Sequence, residues 1–507
     1  MSFFNHRFTA ATVLAMSTAS TAYADVSAQD VWTDWKSYFE GLGYGVSASE
    51  AQSGDTLTIT DLTIDIPQTE DMGASSMRLD QVAFSENADG TVSVVFPEVM
   101  PFAMQVTGEE GEVADVELEV RHTGMVSTVS GVPTEMTNAY TAQTVEVIMT
   151  GLTVDGEVQS PDMALVKLAM QGLSGTTKTT IGGKRVYDQS MQAGDVTYDL
   201  AFADPEGSGN AKMNGRIDGL NFTGSSAFPL VKIDTGDVSS LLAAGVTGEG
   251  TFNYTGGASD ISVEENGASA FSATTTSNGG SLDVALGEDG LNYAGDQKNL
   301  QVAMMSPDFP VPIEFDMVDA RFNLAMPLQK TEEMKDFAFG FAFNDFSMSD
   351  MLWGMFDPNA QLPRDPATIV LDLTGKARML FDFLDPSAAT VSGDPNITPA
   401  EVEEVNINRL QVKAAGAELT GEGAFRFDNA APGGALKPIG AADLSLVGGN
   451  KLIDSLVAMG LLPEDQAMGA RMMLGLLAVP GNAPDTLNSR IETNEQGHIL
   501  ANGQRIQ

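Results

Sequence analysis

Apolar and polar residues alternate with a period of two along most of the chain, and Gly, Asn and Asp residues interrupt the alternation at intervals. That pattern predicts antiparallel strands with one face in water. In Leu57-Thr58-Ile59-Thr60-Asp61-Leu62 the period is plain, and it resumes in Leu62, Ile64 and Ile66. Over 115–121, Val116, Leu118 and Val120 face one way, while Asp115, Glu117, Glu119 and Arg121 face the other. Hairpins are predicted at Asn87-Ala88-Asp89-Gly90, at Glu288-Asp289-Gly290 and at Asn494-Glu495-Gln496-Gly497. Gly, Asn or Asp there supplies the positive φ that a tight reversal needs.

Helical spacing is rare. Val31, Trp35, Tyr38, Phe39 and Leu42 predict an amphipathic helix over 28–42, ended by Gly43 and Gly45. A helical pair is predicted over 451–460 and 465–477, with Pro463 between them and Pro480 stopping the second. A unit of strand, polar cap and short apolar helix recurs over 230–244, 343–356 and 444–460. The fold class expected is mainly β: a long, antiparallel, curled sheet (groove, half-barrel or sandwich) with few short helices and an N-terminal amphipathic helix. Pro and Asp mark 357–366 as a loop and Pro and Gly mark 385–399 as a linker. The regions expected are 25–227, β-rich; 228–384, β-rich with strand–helix units; and 400–507, β-rich with the helical pair.

Residues 1–24 read as a cleavable export signal. Arg7 precedes an apolar stretch from Phe8 to Met16, and Ala22-Tyr23-Ala24 offers small side chains for a cut between Ala24 and Asp25. The stretch is too short to span a bilayer, and no later segment is long and apolar enough to be a spanning helix. The expectation is a released periplasmic protein; an extracellular one is the alternative.

Charge narrows the partners. Lys+Arg is 26 and Asp+Glu is 69, a formal net charge of −43. Such a field repels nucleic acid and anionic surfaces. Its plain reading is solubility in an ion-rich medium, its sharper one cation binding. Glu86–Gly90 and Asp283–Asp289 offer oxygens but match no calcium loop; both read as hairpin turns. The absence of Cys removes thiol catalysis, thiolate zinc sites and lipid attachment at a mature N-terminal Cys. Of three His, His6 leaves with the signal, and His122 and His498 read as surface residues. There is no nucleophile elbow, P-loop or dinucleotide fingerprint. Carboxylate pairs carry no signal in so acidic a chain, and only 3 Trp give little platform for sugars. No catalytic residue, metal ligand or cofactor is assigned.

One segment stands apart. Phe337, Phe339, Phe341 and Phe343 alternate with Ala338, Gly340 and Ala342, which on a strand puts four rings on one face. Met351, Leu352, Trp353, Met355 and Phe356 follow at helical positions. The plain reading is a sheet packed on that helix. The functional reading makes Phe337, Phe339, Phe341, Phe343, Trp353 and Phe356 the wall of an apolar groove for acyl chains. The 26 Met residues suit either reading.

The signal followed by Asp30-Val31-Trp32-Thr33-Asp34-Trp35 resembles a group of exported proteins of Gram-negative bacteria. So do Ser349 to Pro358 with Leu362 to Ala367, and the closing Ile499 to Ile506. The chain resembles the domain-of-unknown-function family numbered 2125, which carries no assigned activity. More remotely it is similar to AsmA-like and YdgA-like periplasmic β-rich proteins, which implies the cell envelope and, for some, lipid transport. The expected function is a non-enzymatic periplasmic envelope protein holding a lipid or other apolar ligand in a β groove, with no nucleic-acid partner and no transmembrane helix after signal removal. A structural or adhesive surface protein is the alternative, and a periplasmic hydrolase the third; the sequence leaves the oligomeric state open.

Overall fold

The computed structural model describes residues 25–67, 73, 75–107, 112–204, 209–231, 238–309, 311–384, 399–429 and 437–507. The expected signal, with Ala24, and residues 385–398 of the expected linker lie outside them; Asp25 is exposed.

The alternating pattern becomes one sheet of 27 strands whose ladders all run antiparallel. Most strands pair with the next in sequence, but the sheet forks twice. Ser75–Glu86 pairs with Val92–Val95 at one end and Val99–Thr107 at the other. Both branches, through Val126–Val132 and Val113–Thr123, rejoin on the 20-residue strand Glu135–Val154. Gly209–Pro229 forks again to Thr247–Tyr254 and Gly256–Glu265. Those branches rejoin on Gly290–Met305. A simple meander then continues through Ile313–Met326, Lys335–Met348, Ala367–Met379, Ala400–Ala414, Ala417–Asp428, Lys437–Val447 and Thr486–Thr493.

The helix Ala28–Gly41 explains the curl. Ser27 and Asp30 form a reciprocal capping box at its start. Val31 and Trp32 are buried against Ile59, Val82, Phe84 and Val92. Each apolar side chain so buried contributes roughly 1.5–3 kcal/mol. Trp32 Nε1 still finds an acceptor in Glu50, at 2.8 Å. The other flank of the helix meets strands far along the chain. Asp34 pairs with Arg185, which also donates to Ser37 Oγ at 3.1 Å. The Tyr38 ring lies 5.2 Å from that of Tyr187 and 6.2 Å from that of Phe228. One helix therefore clasps the first strands and the strands Lys184–Ala203 and Gly209–Pro229, and the sheet between must bend around it.

Long strands keep an apolar face by slipping phase. Leu57 and Ile59 are buried, then Leu62 and Ile64, and the slip falls at Asp61, whose φ is 51°. Asn299 (φ 45°) and Asp345 (φ 52°) mark similar left-handed positions in Gly290–Met305 and Lys335–Met348. Asp and Asn tolerate that backbone better than branched residues do.

Two expectations about the strands and helices need restating. His122 is not a surface residue: it is 7% exposed, and neither ring nitrogen has a hydrogen-bond partner. It lies inside the strand Val113–Thr123, in phase with Val116, Leu118 and Val120, so the alternation carries it to the inner face. His498, half-buried, donates its backbone N–H to Asn494 Oδ1 at its turn. The helical pair spans Gly449–Ala458 and Glu464–Leu477, its first helix capped from a distance by the Asp485 carboxylate, which accepts the backbone N–H groups of Asn450 and Lys451.

Candidate functional site: an open apolar sheet face

Antiparallel register places directly opposed residues on one face. From Lys335–Met348 onward this builds apolar rows across the strands. Phe343 opposes Ile369, then Val412, Leu419, Leu446 and Leu487 in turn. The neighbouring row is Phe322, Phe341, Leu371 and Leu410. A third runs Tyr293, Leu324, Phe339, Leu373 and Ile407. On the opposite face the corresponding row is Arg321, Ala342, Val370, Gln411, Thr420, Ser445 and Asn488, mostly polar. The sheet is two-faced.

The apolar face is not a packed core. Phe339 is 44% exposed and Phe343 40%. Phe322, Ile369, Val412 and Tyr293 are exposed to a similar degree. Among the described residues of 242–493 no Phe, Tyr or Trp is buried. The rings touch one another instead: Phe339 to Phe341 at 6.1 Å, Phe341 to Phe343 at 5.6 Å, Phe315 to Phe346 at 5.5 Å. The expected packing of this sheet on the following helix, Asp350–Phe356, is overturned, because Phe339 and Phe343 remain open and Met351 and Met355 point 55% and 54% of their surface to solvent.

Glycines keep the rings flat against the sheet. Phe337 directly opposes Gly375, and a Cβ there would come within 2.6 Å of the ring. Phe322 over Gly295, Tyr198 over Gly215 and Tyr140 over Gly175 repeat the arrangement. An aromatic ring laid over a cross-strand glycine shields the bare backbone and fixes register.

Of the six residues expected to line the groove, the strand brings Phe337, Phe339, Phe341 and Phe343 together. Trp353 and Phe356 sit past the strand's end, on the helix, with rings 5.0 Å apart. Trp353 faces the Arg364 guanidinium, 5.7 Å from the ring centroid. Arg364 also pairs with Asp350 and donates to the Asp357 carbonyl. Asp357 is fully buried and accepts the backbone N–H groups of Gln361 (2.8 Å) and Leu362 (2.9 Å). Burial pushes its carboxyl up, but those two donors and Arg364 outweigh it and hold the group below its ordinary range. The motif from Ser349 to Ala367 is thus a stapled loop that fixes the helix at the end of the sheet.

Elsewhere a cleft of about 560 Å³ is lined by Arg409, Gln411, Asp443 and Arg490, the last two ion-paired. Burial pushes the Asp34 carboxyl up against the pull of Arg185, and that group closes the clasp with Arg185 as its charged partner. The hairpin oxygens at 86–90 have partners within the fold: Asp89 accepts from Thr91, and Glu86 accepts the backbone N–H of Ala28 at 2.9 Å.

Residues 242–493 match the family model described as an uncharacterized protein conserved in bacteria, DUF2125. This chain carries a domain of that family. The matched span holds the Phe ladder, the stapled loop and the helical pair. No curated protein matches the chain. Among solved structures, the ferric citrate transporter FecA in its unliganded form is similar at 9% identity, over 91% of this chain and 77% of that one. The TM-score is 0.16, too low to carry an argument.

Proposed function

We propose that this DUF2125 protein is a non-enzymatic, periplasmic protein of the cell envelope that holds an acyl chain along the apolar face of its sheet. The observation that carries the reading is the exposure of Phe339 and Phe343 within continuous apolar rows. A face of that size left open marks a binding surface in a soluble protein. Dimensions agree. The row from Phe343 to Leu487 crosses six strands. At about 4.8 Å per step it is roughly 24 Å long. One leaflet of a hydrocarbon core is about 15 Å deep, so an extended acyl chain fits along the row. Each methylene removed from water there contributes about 0.8 kcal/mol. Release into the periplasm rests on the signal read in residues 1–24 and on Ala24 and Asp25 as its cut.

The test is mass spectrometry of an organic extract from residues 25–507, purified from the periplasm without detergent. A stoichiometric acyl species is expected, and F339E/F343E should recover at most a tenth of it. An empty extract from folded protein would overturn the reading in favour of a structural or adhesive role.

A further inference from the structure

Six neighbouring strand ends define one end of the apolar face. Met348, Ala367, Ala414, Ala417, Val447 and Thr486 all lie there, as the register of their ladders requires. Asp350–Phe356, after Met348, is set on that end, and so, past Gly449–Ala458, is Glu464–Leu477, before Thr486. They belong to one rim, because the turn at Gly416 approaches Pro363 of the stapled loop on one side and Gly448 on the other. Val238–Ala243, the helix of the first recurring unit, is at the opposite end of the sheet.

Both rim helices turn apolar side chains outward. Met351 is 55% exposed, Met355 54%, Phe356 40%, Met468 71%, Met472 72% and Leu476 51%. The rim also carries less of the charge that dominates the chain. Residues 350–364 and 449–479 together hold a net charge of −2 over 46 residues, about half the density of the whole chain, −43 over 507. Within them Asp350 pairs with Arg364, and Asp454 with Arg471. Asp357 is buried. The electrostatic repulsion that keeps so acidic a protein off a bilayer is therefore weaker here than over the chain as a whole. Flexible, exposed thioethers with small charge-free neighbours such as Gly469 and Gly475 suit a fluid hydrocarbon boundary.

We propose that this rim docks on the surface of a lipid bilayer, inserting its Met and Leu side chains at the acyl boundary, so that a chain leaving the bilayer meets the Phe343 row first. The passage of the acyl chain rests on the proposed binding face; the docking itself does not. The occupant is a membrane, not a second copy.

Flotation of residues 25–507 with vesicles of phosphatidylcholine and phosphatidylethanolamine tests it, alongside light scattering of the free protein. The wild type should float, and M355E/M472E should lower the bound fraction at least tenfold. M472Q, which adds no charge, should give an intermediate loss. Unchanged circular dichroism would show that the variants fold. F339E/F343E should float like the wild type while losing its acyl species, which separates docking from the binding face. A wild type that stays out of the vesicle layer, or rim variants that float equally well, would overturn the proposal. So would a wild-type dimer that M472E splits, since the rim would then be its interface.

Discussion

Removing Arg185 should open the clasp between the N-terminal helix and the middle of the sheet. Its side chain and that of Asp34 are only 10% and 9% exposed. Arg185 also donates to Ser37, and to Tyr187 Oη at 3.4 Å. Arg185→Met keeps most of the stem volume but leaves the Asp34 carboxylate buried without its partner. Breaking a buried pair in this way costs about 3–5 kcal/mol. In the folded protein burial already raises the Asp34 pKa, and Arg185 opposes that rise. A group raised on folding contributes stability that is fully present below its unfolded value, near 3.8, and is lost as pH rises through the folded value. Without Arg185 the folded value climbs further, so the variant can neutralise Asp34 by taking up a proton. The deficit should therefore be largest at pH 8 and shrink towards pH 5. Urea unfolding followed by tryptophan fluorescence reads this region, since Trp32 and Trp35 lie on the helix. The midpoint should fall by on the order of 1 M at pH 8. A loss under about 1 kcal/mol, or one equal at both pH values, would refute the account of the clasp as a desolvated ion pair.

Two further predictions concern the family domain. Gly375→Val places carbon against the Phe337 ring and within 2.2 Å of the Glu404 carbonyl oxygen, so it should cost roughly 1–3 kcal/mol in thermal unfolding, and F337A should relieve only the part due to the ring. Asp357→Asn should lower the melting temperature at pH 7. Because Asp357 is held below its ordinary range, its contribution is present above that range and lost as pH falls through the folded value, so the gap between wild type and variant should narrow by pH 3.

The strands were legible because one face of each meets water, which makes period two visible in residues such as Val116, Leu118 and Val120. The N-terminal helix was legible from Val31, Trp35 and Tyr38, and Ala28–Gly41 agrees with it. The Phe ladder was legible as a face, but not as an open one. A ring packed on a helix and a ring facing water give the same alternation, and only the position of Asp350–Phe356 separates them. Phe322, Ile369, Leu371 and Val412 each lie on an alternating strand, yet nothing in a single strand says which residues will oppose Phe341 or Phe343. The clasp was equally hidden, since Asp34 and Arg185 are 151 residues apart in sequence and each looks like one charge among many. His122 was misread for a local reason: the strand runs one residue past it, so its phase, not its polarity, decides its place.

Exposed rings on an unsupported sheet would ordinarily be a defect, and the details around them argue against that here. A strand face with nothing to bury needs neither the glycines beneath Phe322 and Phe337 nor a phase slip at Asp345 to keep its rings aligned. Both devices constrain the backbone at some cost, since glycine inside a strand weakens it. They are explained if the flatness and continuity of the face matter more than the stability of any one strand. The stapled loop points the same way. Asp357 and Arg364 spend their hydrogen bonds on holding a short helix whose own Met351 and Met355 touch water. A rigid mount for an apolar surface left outside the fold makes physical sense when a second apolar phase, absent from the free protein, completes the packing.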